Sequence, residues 1–455
     1  MKASSMTTDR LLRRIRIGIA LLACAGLAQA DQIDDLVAAQ MKKQNLPGVA
    51  VAVLKAGKPI KMKGYGYANL ETGTLVTTET VFEIGSVSKQ FIATGIVLLA
   101  RDGKLGLEDP VRKFIPEAPE SWQPITIRHL LTHTAGLVRE PPGVQNPVPE
   151  TATAVRAGFV LPLAFPPGSK QEYSNLGYFT LAEVISRVAQ QPWPQFVHAR
   201  IFAPLGMTAT RTTTYEEVVP HRANGYVLSG GRQHNALRVQ GVRPSGAFLS
   251  TIQDLAKWEA ALHGDAVLTA AERSMMWKAV KLNDGSTKNY GFGWELNKVG
   301  THRQVRHGGT MLGFRADFSR YPDDQLTVIA LGNSGAALVE RVSTGIAAMQ
   351  IEGLQPRRKP VKLPDGVLDG FTGEYQLQNG VLTVSRLEGR LALTMALGPR
   401  SMEMGVLTPD GEASFFDEEN PRPTYAFEMD AEGRMNFVQR SEEGRENMRG
   451  KRLDP

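Results

Sequence analysis

Gly85-Ser86-Val87-Ser88-Lys89-Gln90-Phe91-Ile92-Ala93 is the stretch on which the reading of this chain turns. A helix starting at about Ser86 puts Ser86 and Lys89, three residues apart, on one face. A serine hydroxyl is a weak nucleophile until a base takes its proton. A lysine amine can be that base only where burial lowers its pKa enough to leave it neutral. The same helix start leaves the Ser86 N–H free to donate to an oxyanion. Taken alone, the pattern fits more readily an N-cap serine followed by a solvated lysine, so its meaning depends on what surrounds it.

Upstream, residues 32–45 form an amphipathic pattern, with Ile33, Leu36, Val37 and Met41 on one helical stripe. Val49–Leu54 and Pro59–Ala68 read as strands around the Lys55-Ala56-Gly57-Lys58 turn. Downstream, the middle of the chain is mostly helical, broken by loops at Pro141–Pro149 and Leu161–Gly168. Late strands are expected at Gln304–His307, Phe314–Tyr321 and Gln325–Leu331, then a helix from Ala336 to Met349. Early strands, a helical middle and late strands with a closing helix imply an α+β fold, an antiparallel sheet flanked by helices.

Two further segments carry chemistry. Tyr173-Ser174-Asn175 follows the Pro166-Pro167-Gly168 turn and precedes a helix start. A tyrosine near a lysine can exchange protons with it, and an asparagine two residues on can donate to a substrate carbonyl and contact the lysine. A second copy, Tyr67-Ala68-Asn69, reads as the end of a strand. His307-Gly308-Gly309-Thr310 is expected to end a short strand. Its glycines permit close approach of a substrate backbone. Thr310 N–H would be a second oxyanion donor facing that of Ser86, with His307 at the mouth to bind a carboxylate or shift protons.

Ser86–Lys89, Tyr173–Asn175 and His307–Thr310 together resemble the penicillin-recognising serine hydrolases, the group of class C β-lactamases, D-Ala-D-Ala carboxypeptidases, D-aminopeptidases and certain esterases. Their pattern is Ser-x-x-Lys, then Tyr-x-Asn, then Lys-Thr-Gly or His-x-Gly. Leu130-Leu131-Thr132-His133-Thr134-Ala135-Gly136-Leu137, Pro204-Leu205-Gly206-Met207, Gly291-Phe292-Gly293-Trp294 and Gly313-Phe314 also look familial. The resemblance covers about residues 32–352. It implies a five-stranded sheet, an all-helical lobe and an active site between them. It also implies an acyl-enzyme on Ser86 that water hydrolyses, with Lys89 and Tyr173 moving protons, Asn175 and His307 orienting substrate, and no metal or cofactor. The chain departs from class C β-lactamases where His307 replaces lysine and Gly308 replaces a hydroxyl residue. Those groups help hold the β-lactam carboxylate, so β-lactam turnover is put in doubt while peptidase and esterase activity are not.

Pro356, Pro360 and Pro364 mark residues 355–366 as a linker between the hydrolase domain, 31–354, and a C-terminal domain, 367–455. Strand-like runs at Phe371–Leu377, Val381–Leu387, Leu391–Leu397, Tyr425–Met429 and Met435–Gln439 alternate with turns such as Asn379-Gly380 and Glu432-Gly433. This small all-β domain resembles the lipocalin-like appendages of some relatives.

Residues 1–30 read as an export signal: a basic segment ending at Arg16, an apolar run from Ile17 to Leu27, then Ala28-Gln29-Ala30. Cleavage after Ala30 leaves no cysteine in the mature chain. Leu21-Leu22-Ala23-Cys24 alternatively resembles a lipoprotein box, which would anchor Cys24 to a membrane. The mature protein is expected outside the cytoplasm, periplasmic or secreted, without a transmembrane helix. The net charge is +6, and the first thirty residues hold most of it, with five basic side chains against Asp9. The remainder lacks the basic stripe of a nucleic-acid binder, so a small-molecule or peptide substrate is the expected partner. His129 and His133 are four apart but lack the glutamate of a His-Glu-x-x-His site, and no Gly-x-Ser-x-Gly elbow occurs.

Overall fold

The computed structural model describes residues 32–141, 150–212, 216–238, 241–246, 248–378, 380–397, 400–441 and 446–453. The expected leader, with Cys24 and Ala30, and most of the Pro141–Pro149 loop lie outside the described residues. The chain divides into two compact units, one of residues up to 298 with 303–347, the other of 299–302 with 348–455.

The first unit is built on β1, Gly48–Lys55, whose residues Gly48–Leu54 are all buried. Covered on both faces, such a strand reads as a continuous apolar run rather than an alternation. It pairs antiparallel with β2, Lys58–Asn69 (Ala52 opposite Met62), which is followed by β3, Thr74–Leu75. The later strands are β4, Glu295–Val299; β5, His302–Met311; β6, Phe314–Tyr321; and β7, Leu326–Gly332. The sheet order is β4-β5-β6-β7-β1-β2-β3, with β7 against β1 (Ala52 opposite Ile329). The sheet therefore has seven strands rather than five. The additional ones, β4 and the two-residue β3, sit at its edges, where pairing on one side suffices.

Alternation along β1 splits the cover between two faces. Ala50, Ala52 and Leu54 join the large core that contains Ile252, Leu255 and Trp258. The helix over 32–44 (α1) and the helix Val339–Gln350 lie together, Leu36 against Gly345, and Ser343 binds Asp317 of β6. The helical lobe centres on α2, Lys89–Arg101, buried from Lys89 to Leu99, and α3, Asn175–Ala189. Phe91 meets Phe202, Phe248 and Trp258 edge-on or tilted, with centroids 5.0–5.6 Å apart, a rigid base beneath the first turn of α2.

In the second unit, eight strands between Gly373 and Arg452 close into a barrel, with Tyr375 of the first opposite Arg452 of the last. Closure removes exposed sheet edges. Tyr375, Leu382, Val384, Leu391, Leu393, Phe415, Phe427 and Phe437 fill the interior. Three strands exceed the sequence expectation: Arg400–Pro409, Ser414–Asp417 and Glu446–Arg452. The last, Glu-Asn-Met-Arg-Gly-Lys-Arg, buries only Gly450 and so shows no apolar alternation. Residues 355–366 are not a loose tether. Arg358 bonds the Pro421 carbonyl, Asp410 and Thr424, and Asp365 opens a helix to Phe371 whose Leu368 enters the barrel core.

Candidate active site

Ser86 lies in a 3₁₀ turn, Gly85–Ser88, that runs directly into α2. The turn hangs from a two-residue strand, Phe82–Glu83, paired with Leu249–Ser250. Ser88 Oγ accepts the Phe248 N–H at 3.1 Å and ties the turn to that segment. As the second residue of the turn, Ser86 has no carbonyl behind it within the turn for its N–H.

Lys89 is fully buried. Its Nζ is 3.2 Å from Ser86 Oγ, 2.8 Å from Asn175 Oδ1 and 2.7 Å from the Ser245 carbonyl. Burial, reinforced by the Arg243 and Arg139 cations and opposed by Glu140, holds the amine well below its usual pKa. A neutral amine has two N–H groups and one lone pair. Asn175 Oδ1 and Ser245 O take the two N–H groups, which leaves the lone pair for the Ser86 hydroxyl proton.

Tyr173 packs beside this amine, its ring centroid 4.8 Å from Lys89 Nζ. Its hydroxyl is buried and makes no hydrogen bond; Ser86 is near enough to pull its pKa down but not bonded to it. Burial dominates and pushes the phenol up, so Tyr173 keeps its proton across the neutral range. The His133 ring packs tilted against Tyr173, centroids 4.2 Å apart, and His133 Nδ1 accepts the Ser174 N–H at 3.1 Å. Ser174 caps α3 by accepting from Gly177. Asn175 is held by its N–H to the Arg139 carbonyl (2.7 Å) and by its amide N–H to Glu140. Glu140 in turn pairs with Arg243.

The third segment lies inside a strand rather than ending one. His307–Thr310 belong to β5, paired with β6 from His307 opposite Phe318 to Thr310 opposite Arg315. A Cβ on Gly309 would stand 2.0 Å from the Ile84 carbonyl oxygen, and one on Gly85, whose φ is +52°, 2.6 Å from the Thr310 nitrogen. The backbones therefore touch because neither residue has a side chain. This brings the Thr310 nitrogen against the peptide that precedes Ser86. Gly308 lies beside the flexible end of Arg306.

His307 corrects an expectation. It is 2% exposed and is not at the mouth. Its Nδ1 faces the Gly308 carbonyl at 2.7 Å and its Nε2 the Tyr290 hydroxyl at 2.9 Å. Burial pulls its pKa down to about 3. It is neutral at pH 7 with both nitrogens engaged, so it offers no charge to a carboxylate. His129 is used in the Thr126 capping box. The second Tyr-x-Asn copy closes β2, where Asn69 Oδ1 accepts two turn N–H groups.

Four contributors were not singled out in the sequence: the Ser245 carbonyl, Glu140, Arg243 and Tyr290. A backbone carbonyl leaves no residue-type signal, and a Glu–Arg pair 103 positions apart is visible only once the chain is folded.

An antiparallel sheet with a helical lobe, and a buried lysine bonded to a serine at the head of the lobe's central helix, define a class: the serine hydrolase superfamily of β-lactamases and penicillin-binding proteins. Residues 33–351 match the family described as Beta-lactamase, and the chain belongs to it. It is similar to penicillin-binding protein 4* of Bacillus subtilis, 30% identical over a 406-residue alignment that covers 82% of this chain and 88% of that one. Among solved structures it is similar to an octameric penicillin-binding protein homologue from Pyrococcus abyssi, with a TM-score of 0.67 at 22% identity over 93% of this chain and 99% of that one. A D-amino acid amidase from Ochrobactrum anthropi is 26% identical, with a TM-score of 0.57 over 68% of this chain and 92% of that one.

Proposed function

We propose that the protein hydrolyses amide or ester bonds of a small-molecule or peptide substrate through an acyl-enzyme on Ser86. One observation carries this reading: a buried amine, held below its usual pKa, whose remaining lone pair faces the Ser86 hydroxyl. Ser86 Oγ attacks the carbonyl carbon while its proton passes to Lys89 Nζ. The Ser86 and Thr310 N–H groups stabilise the oxyanion. Tyr173, protonated at neutral pH, gives its proton to the departing nitrogen or oxygen and regains one from the Lys89 ammonium. Water then attacks the acyl carbonyl, with Lys89 taking its proton; as the bond to Ser86 Oγ breaks, Lys89 returns that proton to Oγ and the acid product leaves. Asn175 orients both the lysine and the substrate.

Amides of D-amino acids and small esters are the favoured substrates. The similarity to a D-amino acid amidase supports the first. A neutral His307 and the bare Gly308 leave the first two positions of the third segment without the cation and hydroxyl that help anchor a β-lactam carboxylate in class C enzymes. The leader-like residues 1–30 support an exported protein, starting at Asp31 or lipidated at Cys24.

A panel of a D-amino-acid amide, a p-nitrophenyl ester and a chromogenic cephalosporin tests the reading. Steady turnover of the first two is expected, lost in Ser86→Ala with the melting temperature preserved. A burst of one equivalent without steady state would instead identify a sensor that acylates and stops.

A further inference from the structure

The Lys89 amine works as a base only if Asn175 turns its oxygen toward it. An amide's two ends are almost the same shape, and flipping Asn175 would aim its NH₂ at Lys89. The lysine lone pair would then accept from Asn175 instead of from Ser86. Something must choose the end, and the choice is made outside Lys89. Glu140, which when ionised can accept but not donate, receives the Asn175 amide N–H on one oxygen and Arg243 on the other. The flanking backbone joins in. Arg139 carbonyl accepts the Asn175 N–H, and two residues beyond Arg243 the Ser245 carbonyl accepts from Lys89.

We propose that Glu140 and Arg243 are positioning residues, a latch between two loops that fixes the Asn175 amide and so keeps the Lys89 lone pair turned toward Ser86. The proposal rests on Lys89 being the base. Glu140 is 44% exposed, and a pair so open to solvent adds little to stability. Its worth is therefore in geometry and in charge. Lys89 is faced by Arg139 and Glu140 from the segment after the helix Ile127–Leu131 and by Arg243 from the segment before Ser245. The Tyr173 and Tyr178 rings lie 4.8 and 5.3 Å from its nitrogen. His133 and His307 complete the surroundings, and both feel its charge. Within this set Arg243 disfavours the ammonium and Glu140 favours it, so the two halves of the latch bear on the base with opposite sign.

The test is the pH dependence of the rate at which a fluorophosphonate probe labels Ser86, measured on the full chain with each variant's melting temperature as control. The rate rises with pH as Lys89 loses its proton. Removing the Arg243 cation (Arg243→Met) is expected to move that rise to higher pH. Removing the Glu140 charge (Glu140→Gln) is expected to move it to lower pH. Glu140→Leu, which leaves the amide no acceptor, is expected to slow labelling by about 10²-fold, the usual cost of a misplaced catalytic group, and Glu140→Gln by less. A merely structural pair would not shift the profile in opposite directions. Unmoved profiles, or shifts of the same sign, on a wild type that still labels at Ser86 would overturn the latch alone. A wild type that does not label at Ser86 would overturn the hydrolase reading, and the latch with it.

Discussion

His307 sits beside the Ser86–Lys89–Tyr173 cluster, enclosed, uncharged and bonded on both sides. Its folded-state pKa of about 3 lies below the value of 6.5 it takes when exposed. Between those values the unfolded chain binds the proton and the folded chain does not, so stability rises with pH across that window and is lost as pH falls from about 6.5 toward about 3. One such proton contributes a slope of about 1.4 kcal/mol per pH unit. His307→Gln, which keeps an acceptor for Tyr290, is expected to flatten the fall. Urea midpoints at pH 7, 6, 5 and 4 read it; equal slopes in both proteins would contradict the buried neutral state. At this scale the sequence was informative where chemistry follows residue type. Ser86 and Lys89 share a face because they are three apart, and Asn175 reaches the lysine as expected. It was misleading for His307, because strand alternation sets inside from outside and the motif's place within the strand was read as its end.

At the scale of elements, three backbone segments must touch for Ser86 to stand beside Thr310. The contact between the turn at Gly85 and strand β5 is made of main chain alone. Gly309→Ala would drive a Cβ to 2.0 Å from the Ile84 oxygen, and backbone cannot yield as a side chain can. The expected cost is about 1–3 kcal/mol, as for other overpacked sites, together with loss of Ser86 labelling as the oxyanion donors separate. Gly308→Ala meets the end of Arg306 at 3.2 Å and the Ala316 carbonyl at an ordinary 3.9 Å, and is expected to keep its melting temperature. Equal destabilisation of the two variants would refute the close approach. The strands of the central sheet were legible because β1 and β7 are long apolar runs. The 3₁₀ turn before α2 was not, since a positive φ at Gly85 is set by its neighbours in space.

At the scale of the whole molecule, two units carry different kinds of information. The hydrolase unit spreads its site over residues 86 to 310, so its meaning came from three motifs in a fixed order rather than from any one. The C-terminal unit announced itself by texture, strand after turn, and its eightfold closure was missed because Glu446–Arg452 shows no apolar face. The proposed chemistry requires that distant segments converge to make one hydroxyl nucleophilic. Tandem mass spectrometry of the protein after reaction with a fluorophosphonate tests this most directly. A single adduct on Ser86 is expected, its formation suppressed in Lys89→Arg, whose side chain cannot give up its proton. An adduct on another serine, or undiminished labelling of Ser86 in Lys89→Arg, would contradict it.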